Sequence, residues 1–164
     1  MLALLTRGER DLLRASTLFS IPVPIDILAK LGEAVGARAS ETMGGRLFAL
    51  GRWDPSASPE APEARVNALV GPKFSEANTT ALMKNERQEM AKIVVGPLFE
   101  RWGGESRTRR SYAMNLELTR LGLAGGDLRT VAAAGGDAIR CWPRLASLPP
   151  SRAGRSRWRR PTAP

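Results

Sequence analysis

Residues Glu9 to Leu50 read ERDLLRASTLFSIPVPIDILAKLGEAVGARASETMGGRLFAL, and the reading of this stretch decides the fold. At helical pitch Leu12, Leu13, Leu18 and Phe19 fall on one side of a first helix. Ile21-Pro22-Val23-Pro24 ends it, since each proline removes an amide donor and drives the residue before it toward extended geometry. Pro24 suits the first turn of a second helix, where its fixed φ is already helical and Asp26 sits beside the positive helix end. Ile25, Leu28 and Leu31 form that helix's apolar face. Gly44-Gly45 then breaks the chain before an apolar segment, Arg46 to Leu50.

Outward from this module, Arg52 to Pro62 (RWDPSASPEAP) has the Pro, Ser and Ala content of a loop. Ala64 to Val70 alternates apolar with polar residues, and pairing it with Arg46–Leu50 gives a small β-hairpin, a wing with a long tip. Gly71-Pro72 closes the unit, and Ser75 is placed as the N-cap of a long helix from Glu76 to Trp102. Met83, Met90, Val94, Leu98 and Trp102 supply its buried stripe. Gly96-Pro97 predicts a kink or a split in that helix, and Gly103-Gly104 a left-handed C-cap. A further helix is expected from Thr108 to Leu123, apolar over a broad arc that includes Tyr112, Leu116, Thr119 and Leu123. Gly125-Gly126-Asp127 then makes a turn and N-cap before a helix from Leu128 to about Ile139. Two such helices form an αα-hairpin, the unit from which helical repeats are stacked.

The fold class expected is therefore mostly α. A winged-helix-like unit occupies 1–72, a long kinked helix plus αα-hairpin 73–141, and a basic disordered tail 142–164. The net charge of +9 belongs to that tail, because from Arg144 onward there are six arginines and no acid. Setting those six aside from the 25 basic residues leaves 19 against 16 acidic ones, an ordinary balance for a folded domain. The tail's Arg, Pro, Ser and Ala follow no period. The apolar patch at the start is too short for a signal peptide, no run approaches a membrane span, and a cytoplasmic protein is expected.

The order of elements resembles a stretch of the signal-transduction ATPases with numerous domains, the bacterial relatives of apoptotic and plant-immunity switch ATPases. LLRASTLFSIPVPIDILAKL at Leu12–Leu31 is similar to the opening helix, proline turn and second helix of the family's winged-helix domain. RLFALGRWD at Arg46–Asp54 and ARVNALVGP at Ala64–Pro72 resemble its wing strands, and NLELTRLGLAGGD at Asn115–Asp127 its tetratricopeptide-like arm. The resemblance implies a winged helix that relays nucleotide state from an ATPase core to a repeat arm. The core itself is not in this chain. No phosphate-binding loop of the form Gly, four residues, Gly-Lys and Ser or Thr occurs, so the hydroxyl and lysine that hold Mg²⁺ and phosphate are missing. A basic, aperiodic ending on a periodic body is also what out-of-frame translation of GC-rich DNA produces, and the chain reads as a fragment of a larger switch.

The chemistry of the side chains points away from an enzyme. There is no histidine, which removes imidazole-based triads and histidine metal sites, and the single cysteine removes a disulfide framework and a cysteine-rich zinc site. Cys141, among arginines, is either an activated thiol or an incidental one. The carboxylate pairs Glu86/Glu89 and Glu100/Glu105 read as solvated helix charges. No catalytic residue, cofactor, metal or small-molecule substrate is assigned. The first functional reading is a regulatory segment with a protein partner, using Leu116, Leu121, Val131 and Ile139 as candidate interaction residues. The second is a DNA-binding winged helix, with Arg38, Arg46 and Arg52 near the groove-reading helix and Arg155, Arg157, Arg159 and Arg160 contacting nucleic acid from the basic tail.

Overall fold

The computed structural model describes residues 5–36, 45–47, 53–55, 63–66, 83–106 and 110–146. The chain is mostly helical, and its N-terminal unit is winged-helix-like. Helix α1 (Arg7–Ser16) starts on a capping box, in which Glu9 N–H donates to Thr6 Oγ1 and Thr6 N–H donates to Glu9 Oε2. Leu12 and Leu13 on the helix, and Leu18 and Phe19 just past its end, are all buried, as their spacing implies. Helix α1 ends at Ser16, before the proline pair that the sequence makes its stop. Val23–Pro24 is a short strand, β1, and α2 (Ile25–Ala34) follows directly, burying Ile27, Leu28 and Leu31 while Ile25 packs half-buried against the same cluster.

The wing is present with a different partner from the one the sequence suggests. Strand β3 (Glu63–Val66) lies at the centre of a three-stranded antiparallel sheet of order β1-β3-β2, where β2 is Trp53–Pro55. Val23 pairs with Ala64 on one side, and Trp53 with Val66 on the other. Arg46 and Leu47, the described part of the expected opposing strand Arg46–Leu50, are not in a strand. Residues 45–47 are helical, with Leu47 fully buried, while 48–50 lie outside the described residues. Pro24 and Pro55 sit on the two edge strands, where a missing amide costs no ladder bond, so a proline-marked loop segment is free to pair.

Helix α3 (Lys84–Arg101) continues through Pro97 as one element, so the chain is not split there. The expected N-cap at Ser75 lies outside the described residues. At the observed start Glu86 accepts the Met83 N–H, and Met83 itself is exposed, leaving Met90, Val94, Leu98 and Trp102 to carry the inward stripe. Gly103 and Gly104 both have positive φ, and Gly104 N–H donates back to the Phe99 carbonyl, the six-to-one bond of a glycine C-cap.

Helices α4 (Tyr112–Gly125) and α5 (Leu128–Ala146) form the αα-hairpin. Ser111 caps α4 through Met114 N–H, Gly126 closes it with φ 76°, and Asp127 accepts the Thr130 N–H to cap α5. Helix α5 runs past the expected end at Ile139 and includes Cys141–Ala146, so the helical part extends into what the sequence assigns to the tail. A proline at 143 removes one bond close to the helix end, too local a loss to stop a helix already propagated from a firm cap.

The inward face of α4 also differs from expectation. Leu118 and Leu121 are fully buried, but Leu116 and Leu123 point out, and the polar Asn115 and Glu117 are buried with them. One apolar cluster runs from Leu12, Phe19, Leu28 and Leu47 through Val94 and Leu98 to Leu118, Leu121 and Ala134, so the winged unit and the helical part share a core. Close helix packing depends on Gly125: a Cβ there would lie 2.9 Å from Lys92 N and 3.1 Å from the Ala91 carbonyl carbon, both backbone atoms of α3. Gly125→Ala therefore destabilises the fold by about 1–3 kcal/mol, since backbone cannot step aside. Gly136→Ala on α5, whose added methyl meets nothing nearer than Arg140 Nη2 at 3.6 Å, stabilises it by about 0.5–1 kcal/mol. Urea unfolding of the two variants beside the parent chain reads both signs.

Candidate functional site: the charged ties and the outer face of the hairpin

Two buried carboxylates organise the helical part, and both were invisible as pairs in the sequence. The first is Glu117 on α4. Its Oε1 accepts Ser20 N–H at 2.8 Å, its Oε2 accepts the Ser20 hydroxyl at 2.6 Å, and Arg120 Nε and Nη2 donate at 2.9 and 2.7 Å. Arg120 also donates to the Leu18 carbonyl. The segment just after α1 thus finds partners for its Ser20 N–H and Leu18 carbonyl on α4, Glu117 lying 97 residues along the chain from Ser20. Burial pushes the Glu117 carboxyl up, but the hydrogen bonds from Arg120 and Ser20 together outweigh it and hold the group below the ordinary glutamate value.

The second is Asp137 on α5. Arg110, itself buried, donates from Nη2 to Asp137 Oδ2 at 3.1 Å, from Nε to Asn115 Oδ1 at 2.8 Å and from Nη1 to the Gly104 carbonyl. Its guanidinium carbon stands 4.8 Å from the centre of the Phe99 ring. Arg140 takes the other oxygen of Asp137 at 2.8 Å. One arginine therefore pins the α3–α4 connection to both helices of the hairpin. A cleft of about 140 Å³ opens beside it, lined by Glu105, Arg110, Asp137 and Arg140 with Ala132 and Ala133. Asp137 is shared by Arg110 and Arg140, and Glu105 by Arg129 at 2.9 Å, so the charges lining the cleft are matched among themselves.

Smaller ties repeat the theme at the front of the molecule. Arg14 Nη2 meets Glu86 Oε2 at 2.7 Å, joining α1 to α3, and Arg101 Nε stands 3.6 Å from Asp26 on α2. Glu86 is held below the ordinary value chiefly by the Met83 backbone N–H, with Arg14 adding to it against a smaller burial cost. Glu9, the capping residue of α1, also takes Arg46 Nε at 2.9 Å.

The candidate residues read from the sequence separate cleanly. Leu116 and Ile139 are exposed, at 46% and 75%, and lie on the hairpin. Leu121 is not a surface residue. It is 0% exposed, because its side of α4 faces α3 and the common core. Val131 is half-buried against α4, where a Cβ on Gly122 would come within 2.8 Å of its Cγ2. The residues the sequence reading missed are Leu123, placed there on an inward face, and Leu128, exposed at 64% and 74%. Of the candidate nucleic-acid contacts, Arg46 is paired with Glu9, whereas Arg38, Arg52, Arg155, Arg157, Arg159 and Arg160 lie outside the described residues. Among the described residues no cluster of three metal-binding side chains occurs, and no helix is long and apolar enough to cross a membrane.

Comparison with protein-family models, with curated proteins and with solved structures gives no match.

The Glu117 tie has a pH signature whose sign follows from its direction. A folded-state pKa below the unfolded value of 4.5 means that the unfolded chain takes up the proton first on acidification. The stabilisation is complete above the unfolded value and drains away as pH falls through the folded one. Glu117→Gln should therefore cost about 1–3 kcal/mol at neutral pH, because it leaves Arg120 and the Ser20 groups short of an anionic acceptor. The difference between variant and parent should shrink as pH drops below 4.5. Thermal melts at a series of pH values measure it.

Proposed function

We propose that this chain is a non-enzymatic regulatory and protein-interaction segment, belonging to a nucleotide-dependent signal-transduction switch in which a winged-helix-like unit passes its position on to a helical arm. The observation that carries this reading is the Glu117 tie. It joins the end of α1 to α4 by directional, charge-assisted bonds across a continuous apolar core, so a force on the winged unit is delivered to the hairpin without slack. The buried charges support the same reading, because Glu9, Glu117, Arg110 and Asp137 each serve an internal crosslink. The DNA-binding reading gains nothing comparable. Arg46, its one described candidate contact, has its Nε committed to the buried Glu9.

Two measurements test the proposal. The coding sequence on either side of this frame should hold a phosphate-binding loop upstream and further helical hairpins downstream, in the same or a shifted frame; a flank with neither overturns the parent-switch reading. Duplex DNA titrations at about 50 and 200 mM salt should give only weak association that falls steeply with salt and shows no sequence preference. A preference for one sequence that survives the higher salt would transfer the chain to the DNA-binding class.

A further inference from the structure

We draw no further inference here: the strongest candidate, the exposed apolar outer face of the α4–α5 hairpin at Leu116, Leu123, Leu128 and Ile139, carries nothing because nothing among the described residues shows what covers it.

Discussion

The arrangement depends on where the carboxylate of Glu117 finds its partners. A shared apolar core holds two units together but does not fix their relative position, because hydrophobic attraction is non-directional. The bonds from Ser20 N–H, the Ser20 hydroxyl and Arg120 do fix it, since each requires a donor at hydrogen-bond distance and the anion is costly to bury without them. The tie forms in the segment just past α1, where the Ser20 N–H and hydroxyl donate to the carboxylate and the Leu18 carbonyl accepts from Arg120. The end of α1 is closed by its own next residues, whose N–H groups return to Arg14, Ala15 and Ser16, and the tie to Glu117 then sets the winged-helix-like unit in one register against α4.

Spending acids inside the hairpin has a consequence outside it. Glu117 and Asp137 are the carboxylates of α4 and α5, and both are buried against arginines, two of which, Arg120 and Arg140, keep their guanidinium groups largely in solvent. Each pair is close to neutral as a pair, but the anion lies beneath the surface and the cation on it. The same internal crosslinks stiffen the hairpin.

The front of the molecule was legible in the sequence because its signals are local. The proline at 24 places the start of α2 within a residue, whereas α1 ends at Ser16, short of the Leu18 and Phe19 that their spacing put on it, and Gly126 and Asp127 mark the hairpin turn by their own backbone and capping preferences. The wing was half legible. Glu63–Val66 lies where alternation put a strand, but its partners are two and three residues long, and elements that short are chosen by pairing more than by propensity. The apolar run at Arg46–Leu50 suited a strand and a buried helical turn equally, and Leu47 is buried in the second. On α4, apolar residues occupy nearly every angle, so composition alone could not tell that Leu121 faces in while Leu116 and Leu123 face out. The deciding residues are Asn115 and Glu117, polar side chains drawn inward by Arg110 and Ser20, and such partners cannot be read from a helical wheel.

The glycines explain why the outer face holds its shape. Gly122 and Gly125 bring α4 within direct contact of α5 and α3 respectively, at separations where a single methyl would meet a side chain or backbone atom under 3.0 Å. A helix clasped that closely on two sides has little freedom to rotate, and rotation is what would carry Leu116 and Leu123 inward to hide them. Asp127, held below the ordinary aspartate value chiefly by the Thr130 backbone N–H, fixes where α5 begins and hence its phase against α4. Four large apolar side chains therefore stay exposed because the turn, the close glycine contacts and the buried acids together leave the hairpin no better packing among the described residues.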